Sequence, residues 1–242
     1  MRYGLISDIH GNLEALDQVL SELDRLKVDT ILCLGDVVGY GPNPNECVTR
    51  VQKRAAVCLI GNHDEASLGR VDLDLFNYMA REAIEWTMRQ LSKPSKEYLV
   101  NRPYTHEFDE CLIVHASPDE PRRWNYILSL EDAAHSFAAF DQHACFIGHS
   151  HTPWVIDLNT EGRMQVRQDY PISLQEGHRY LINVGSVGQP RDRNPAAAFG
   201  VFDSEKKEYT LKRVTYGFAK TQKKIRATGL PSFLADRLAT GQ

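Results

Sequence analysis

The feature that most constrains this sequence is a repeated arrangement, in which a short apolar segment leads directly into residue types that bind metal ions. Five apolar segments do this, and each has the length and composition of a buried β-strand. The residues that follow them are aspartate, asparagine and histidine, at Asp8, His10, Asp36, Asn62, His63, His115, His149 and His151. Because ligands of α/β proteins bind at the carboxyl ends of the strands, we expect these side chains to converge at one edge of the fold.

The segments between these motifs predict an α/β protein. After the first motif, Asn12 is placed to cap a helix whose apolar face is Leu13, Leu16, Leu20 and Leu23. Strand, polar turn, helix and strand again is the order of a doubly wound fold. Short strands dominate the later sequence, so we expect one domain over residues 1–242. It would carry a helical insertion at about 73–103 and a helical C-terminal tail at about 218–242.

Composition excludes several classes of protein. The chain of 242 residues is 42% hydrophobic and 25% charged, which is ordinary for a globular protein. A net charge of −4 gives no reason to expect nucleic acid or an anionic membrane as a partner. No apolar run of ~18 residues and no signal peptide is seen, so we expect a cytoplasmic protein. The five cysteines include no C-x-x-C pair and are expected to be free core thiols.

The donor set predicts a metal centre with more than one ion. Its oxygen and imidazole donors are too numerous for one tetrahedral zinc site, which takes four ligands. They suit two divalent cations that share a bridging carboxylate, the arrangement of two-metal hydrolases. Manganese is the first expectation for such mixed donors, although iron, zinc or nickel would also fit.

These residues resemble the motifs of the calcineurin-like metallophosphoesterase superfamily. The matching segments occur in the family's order, as Asp8-x-His10, Gly35-Asp36, Gly61-Asn62-His63-Asp64, His115 and Gly148-His149-x-His151. A later segment, Asn183-Val184-Gly185-Ser186, resembles the family's glycine-rich turn. The length is similar to that of the small, single-domain bacterial and archaeal members. Together the motifs are specific, although each is weak alone.

The resemblance implies a fold and a set of roles. The fold would be a four-layer sandwich, with two packed mixed β-sheets flanked by helices. The first cation would be held by Asp8, His10, Asp36 and His151. The second would be held by Asp36, Asn62, His115 and His149, so Asp36 would bridge the pair. His63 would be the catalytic residue, facing the phosphate to stabilise it or to protonate the leaving oxygen.

The sequence departs from the family's protein phosphatases in two places. Their second motif reads Gly-Asp-x-Val-Asp-Arg-Gly, whereas the matching Asp and Arg positions here are Gly39 and Tyr40. The orienting partner of His63 is therefore open, and the third motif ends in Asp64, which either fixes His63 or caps the next helix. Tyr40 and Arg191 are candidate substrate-binding residues, and so are Arg122, Arg123, Trp124 and Tyr126 in a nearby loop.

The resemblance implies a metal-dependent phosphoesterase that cleaves a P–O bond with a metal-bridging hydroxide. A phosphodiesterase is the first expectation, and its substrate would be a small phosphoester, with nucleotide-like compounds among the candidates. A phosphomonoesterase, or a nucleotide or protein phosphatase, is the alternative. A non-catalytic metal-binding scaffold is a third reading, which the retention of His63 and every ligand position disfavours. The physiological substrate and the oligomeric state are not fixed by the sequence.

Overall fold

The structure is a computed structural model that describes residues 1–242. Its twelve strands are β1 (Arg2–Ile6), β2 (Thr30–Cys33), β3 (Val57–Cys58), β4 (Thr105–Phe108), β5 (Cys111–Val114), β6 (Ala144–Ile147), β7 (Trp154–Leu158), β8 (Met164–Arg167), β9 (Ile172–Ser173), β10 (Arg179–Asn183), β11 (Ala197–Asp203) and β12 (Glu208–Val214). Its eight α-helices are α1 (Leu13–Arg25), α2 (Pro44–Arg54), α3 (Asn62–Ser67), α4 (Tyr78–Gln90), α5 (Lys93–Val100), α6 (Leu130–Phe137), α7 (Phe218–Thr228) and α8 (Ser232–Asp236). No helix is both long enough and apolar enough to cross a membrane.

The strands form two mixed six-stranded sheets, as expected. The first sheet has the order β3-β2-β1-β11-β12-β9, and the second has the order β4-β5-β6-β10-β7-β8. Within the first sheet, β1, β2 and β3 are parallel. Within the second, β5, β6 and β10 are parallel. Each sheet therefore contributes three parallel strands, and the polar motifs follow the carboxyl ends of these strands.

The sheets pack face to face, and helices cover their outer faces. Alternate residues of β1 point to opposite sides of the first sheet: Leu5 belongs to the core between the sheets, and Ile6 to the core under the helices. Gly4 leaves room for α1, because a Cβ at this position would lie 2.7 Å from the Leu23 side chain. Helix α6 packs on the second sheet through Phe137. The four-layer sandwich implied by the sequence is the observed architecture.

Some local predictions differ from the structure. The apolar segment over residues 55–60, which precedes Asn62 and His63, has the composition of a whole strand, but only Val57 and Cys58 pair in register with β2. The insertion was expected to be helical from about residue 73, but Leu75 lies ahead of its first α-helix and is 78% exposed. The reason is local: α4 begins only at Tyr78, because the Asn77 side chain accepts a hydrogen bond from the Ala80 N–H and starts the helix there. All five cysteines are free and buried, as expected.

Helix α7 is joined to the first helix of the chain by a partly buried carboxylate. Glu14 of α1 accepts hydrogen bonds from Lys224 at 2.7 Å and from Thr221 at 3.0 Å, both on α7. Burial raises the pKa of Glu14, but these partners together with Lys220 outweigh it, and the net pKa lies below the ordinary value of 4.5. The last helices therefore depend on this ion pair for their position.

We predict that Glu14→Gln lowers the free energy of unfolding at pH 7 by about 1 kcal/mol, because charged hydrogen bonds to α7 are lost. The folded pKa of Glu14 is depressed, so its contribution is complete above pH 4.5 and is lost as the pH falls through the folded value. Urea unfolding of both proteins at several pH values measures this difference. Glu22→Gln, which removes an exposed pair with Arg25 on the same helix, serves as the control. A difference that persists unchanged at low pH would contradict the assignment.

Candidate metal centre

The motifs converge through left-handed backbone turns and not through strand alternation. Strand β1 ends at Ile6 and β6 ends at Ile147, so the ligand motifs lie beyond both strands. Five of the candidate ligands have positive φ angles between 49° and 66°, namely Asp8, His10, Asp36, His149 and His151. This conformation is uncommon for residues other than glycine and is held only where the surroundings enforce it. Hydrogen bonds do so here, because the Asp8 N–H donates to the Gly35 carbonyl and the His10 N–H donates to the Asp36 carbonyl.

The first group of donor atoms comes from Asp8, His10 and His151. The Nε2 atoms of His10 and His151 lie 3.1 Å apart. The Nε2 atom of His151 lies 3.4 Å from Asp8 Oδ1, and that of His10 lies 3.9 Å from the same oxygen. All three residues are buried. Two nitrogens and a carboxylate oxygen this close together can bind one cation.

The second group comes from Asp36, His115 and His149, with Asn62 beside it. Asp36 Oδ2 lies 3.3 Å from Nε2 of His115 and 3.6 Å from Nε2 of His10. The Asn62 side-chain oxygen lies 3.2 Å from Nε2 of His115. Asp36 is thus in contact with a histidine from each group, which is the position required of a shared carboxylate.

The imidazole rings are oriented as metal ligands are. The Nδ1 atoms of His10, His115 and His151 face the backbone carbonyls of Val38, Leu34 and Gln189, at 3.1, 2.9 and 2.6 Å. A proton on Nδ1 satisfies each carbonyl and leaves the Nε2 lone pair free for a cation. The buried Nε2 of His149 has no hydrogen-bond partner in the protein. The residues therefore fit a centre that binds divalent cations.

Burial decides the charge of most of these groups. It lowers the pKa of His149 to about 3 and holds those of His10 and His151 well below 6.5, so these rings are neutral, as ligands must be. Burial also raises the pKa of Asp8 to about 6. His115 is different, because the adjacent Asp36 carboxylate outweighs burial and raises its pKa to about 9. A cation bound there would displace that proton.

His63 lies at the edge of the two groups and is held by rings. Its backbone N–H donates to Asp36 Oδ1 at 2.8 Å. Its ring packs against Tyr40 with centroids 4.4 Å apart, against His10 at 4.9 Å and against Phe76 at 5.4 Å. Its buried Nδ1 atom has no partner, and burial lowers the pKa of the ring to about 4. His63 is therefore positioned by packing beside the metal centre, where one of its ring nitrogens and donor atoms of His10 and Asp36 lie within 4.8 Å of one another.

Asp64 does not contact the His63 ring. One carboxylate oxygen accepts the Val38 N–H at 3.0 Å, and the other accepts the Gly61 N–H at 3.1 Å. It caps α3 and ties the loop after β2 to the loop after β3, which settles the choice left open by the sequence. Asn12 likewise caps its helix, since its side chain accepts from the Ala15 N–H.

Three further side chains cover the histidines. The Tyr40 ring lies 4.7 Å from that of His10, and the Arg191 guanidinium lies over Tyr40 at 5.7 Å. The Tyr126 ring stacks on His149 at 4.0 Å. The other candidates of that loop lie outside this cover: Trp124 meets His115 edge-on at 5.8 Å, Arg122 lies over Tyr104, and Arg123 pairs with Glu120.

The sequence model of the calcineurin-like phosphoesterase superfamily domain matches residues 1–207. The chain belongs to this superfamily. Its members are metal-dependent phosphoesterases, in agreement with the donor groups described above. The match includes every candidate ligand and His63, and it ends before the last strand and the two C-terminal helices.

Individual relatives support this assignment along the whole chain. A metallophosphoesterase from Sphaerobacter thermophilus is 42% identical, with a TM-score of 0.89 and full coverage of both chains. The uncharacterized protein MJ0912 of Methanocaldococcus jannaschii is 37% identical over 98% of this chain and 97% of its own length. The hypothetical protein PH1004 of Pyrococcus horikoshii OT3 is 18% identical, and its TM-score of 0.80 over 100% of this chain and 98% of its own shows the shared fold.

The packing explains the glycine at position 39 of this metallophosphoesterase. A Cβ there would lie 2.7 Å from Nδ1 of His63, and the φ angle of Gly39 is +92°. An aspartate at this position, as in the family's protein phosphatases, would therefore displace the His63 ring. Position 40 is a tyrosine here and not the arginine of those phosphatases. A guanidinium does lie over Tyr40, but it belongs to Arg191, in the loop between β10 and β11.

Part of the site carries no signal in the sequence. The carbonyls of Val38, Leu34 and Gln189 orient three histidines, and any residue type offers a carbonyl. Phe76, which contacts the His63 ring, lies in a segment where many apolar residues are spaced like a helix face. In the sequence, the aromatic residues Trp124 and Tyr126 were the signal that rings would lie near the metal centre.

We predict that Gly39→Ala destabilises the fold by at least about 2 kcal/mol and shifts the His63 ring, because the new methyl group adds left-handed strain and meets Nδ1. Gly217→Ala is the matched control, since Gly217 has an ordinary φ of −78° and open space around it. Thermal unfolding and the histidine ring signals in NMR spectra measure both effects. Unchanged His63 signals in Gly39→Ala would show that the ring does not depend on this glycine.

Proposed function

We propose that this metallophosphoesterase binds two divalent cations and hydrolyses a small phosphoester, with phosphodiesters preferred. The observation that carries the proposal is the position of Asp36, whose carboxylate lies 3.3 Å from a histidine of one donor group and 3.6 Å from a histidine of the other. A shared carboxylate between two such groups supports a dinuclear centre. Manganese is the first choice for the mixed oxygen and imidazole donors, and iron, zinc and nickel are alternatives.

In this proposal Asp8, His10, Asp36 and His151 hold the first cation, and Asp36, Asn62, His115 and His149 hold the second. Cations bound by these residues would supply activation of a water as the nucleophile and neutralisation of the phosphate charge. The seven ligands also exclude bulk water, because all of them are buried. Electrostatic interactions with the phosphate are stronger in such a site than in bulk solvent.

The protein's own groups then act on the phosphate from one side. One ring nitrogen of His63 and donor atoms of His10 and Asp36 lie within 4.8 Å of one another, so the ring can donate a hydrogen bond to a phosphate oxygen. Burial lowers the pKa of this ring to about 4, so protonation of the leaving oxygen requires the bound phosphate to raise that pKa. The buried Arg191 Nε is unpartnered, and the Arg191 charge lowers the pKa values of His10, His63 and His151. Arg191 is therefore placed to hold a non-bridging oxygen, with Tyr40 beneath it.

The preference for diesters rests on the side chains next to two proposed ligands, His149 and His10. Tyr126 is half-exposed and stacks on His149, while Arg191 and Tyr40 lie on the side of His10. A diester carries a group on each side of its phosphorus, and an aromatic or nucleoside group suits the ring of Tyr126. A monoesterase or nucleotide phosphatase remains the alternative. Protein phosphatase activity is disfavoured by Gly39 and Tyr40, and a scaffold role by the complete ligand set.

We predict that the metal-stripped protein takes up two Mn²⁺ ions per chain and that Asp36→Asn takes up at most one, because Asp36 serves both donor groups. Isothermal titration with elemental analysis of the loaded protein measures the stoichiometry. His135→Asn, which changes an exposed histidine on α6, is expected to retain both ions. A wild-type stoichiometry of one would contradict the dinuclear assignment.

We predict that hydrolysis of a bis-aryl phosphodiester requires added Mn²⁺ after metal stripping and falls ~10²–10⁴-fold in His63→Ala. The variant removes the ring that faces the phosphate and leaves every proposed ligand in place. Aryl monoester turnover is measured in parallel with the same metal loading. A faster monoester reaction would reverse the substrate preference, equal activity of both proteins would remove His63 from the mechanism, and absence of turnover with any metal or ester would favour the scaffold role.

A further inference from the structure

Tyr126 occupies a place that the family motifs do not assign. It lies in the loop between β5 and α6, and its ring is stacked on that of His149 at 4.0 Å with an interplanar angle of 24°. His149 is only 5% exposed, whereas Tyr126 is 49% exposed. The tyrosine therefore covers a proposed metal ligand on one face and meets solvent on the other.

Tyr126, Tyr40 and Arg191 together form a layer over the histidines that carries a positive charge and several hydrogen-bond donors. The Arg191 guanidinium lies 5.7 Å from the centre of the Tyr40 ring, and Tyr40 and Tyr126 each lie against the ring of a proposed histidine ligand. Burial raises the pKa values of both tyrosines, and the Arg191 charge partly offsets this rise. The three side chains come from three separate loops. No carboxylate neutralises Arg191, because the adjacent Asp192 is paired with Arg213. Arg191 keeps only a hydrogen bond to the Gln189 side chain at 2.9 Å, and its buried Nε has no partner.

The two neighbouring rings, Tyr104 and Trp124, are placed differently. Tyr104 directly precedes β4, and its hydroxyl is engaged with the Glu65 carboxylate. The Trp124 ring, in the same loop as Tyr126, meets His115 edge-on at 5.8 Å, lies against Tyr104 at the same distance and carries no hydroxyl. Of these three rings, Tyr126 is the one that stacks on a proposed ligand.

We propose that Tyr126 is a further substrate-binding residue, whose hydroxyl donates a hydrogen bond to a non-bridging oxygen of the phosphate bound beside Arg191. A phenol is protonated at neutral pH and can donate in this way. The proposal rests on the proposed function in one respect, namely that a phosphate group binds at the metal centre. It adds a donor beside His149, whereas Tyr40 and His63 lie against the ring of His10.

Binding of inorganic phosphate to the Mn²⁺-loaded protein, measured by isothermal titration calorimetry, tests the proposal. Tyr126→Phe keeps the ring stacked on His149 and removes only the hydroxyl, so we expect phosphate to bind about tenfold more weakly or worse. Tyr78→Phe, the same change at an exposed tyrosine of α4, is expected to bind phosphate like the wild type. Metal content and thermal unfolding, measured for each protein, identify any variant that has lost ions or structure.

The outcomes separate this proposal from the enzymatic one. Phosphate affinity in Tyr126→Phe within about twofold of wild type would overturn the role of Tyr126, whatever the turnover. Weaker binding in Tyr126→Phe would support it even if the wild type cleaved no ester, in which case only the proposed reaction would fall. If the wild type hydrolyses the bis-aryl diester, kcat/KM in Tyr126→Phe is expected to fall by a factor similar to that for phosphate binding.

Discussion

The structure depends on burying two carboxylates, Asp8 and Asp36, at the junction of two sheets. An ionised carboxylate without partners is costly in such a place, so each loop that reaches the junction supplies a hydrogen-bond donor. The His149 N–H donates to the Asp8 carboxylate at 3.0 Å, and the His63 N–H donates to that of Asp36 at 2.8 Å. These bonds cross between sheets or loops, so they fix the motifs relative to one another as well as satisfying the charges. The same two carboxylates therefore serve as candidate metal ligands and accept the hydrogen bonds that join the loops.

Much of this arrangement could be predicted from the sequence, because apolar strands and polar turns alternate so regularly. The α/β class followed from that order, and the grouping of the candidate ligands followed from the rule that parallel strands end at a common edge. The four-layer architecture came from the resemblance to the superfamily. Strand alternation would also place Asp8 beside His10 and His149 beside His151, but it is not the cause of their convergence. These residues lie past the strand ends and converge because their backbones are left-handed, which residue identity does not reveal.

Other parts of the site could not be predicted from the sequence, for a different reason. The carbonyls that orient the histidines are present in every residue, so only the folded backbone shows which ones are used. The contact of Arg191 with Tyr40 joins residues far apart in the chain, on loops whose course no local pattern specifies. The same holds for Tyr40 and the C-terminal helices, which share one apolar cluster although the family match ends at residue 207. Long-range packing, and not local propensity, decided each of these features.

The pairing of β1 has a consequence for how the protein is made. Arg2 pairs with Asp203 and Leu5 with Gly200, so the strand that leads into Asp8 and His10 needs a neighbour from near the opposite end of the chain. Such long-range pairing slows folding, because a large loop must close before the contact forms. During synthesis on the ribosome, β1 can pair with β2 early, but its second neighbour β11 emerges only after roughly two hundred further residues. If the centre binds cations as proposed, their uptake would follow this late pairing, and chain length itself would delay the assembly of the centre.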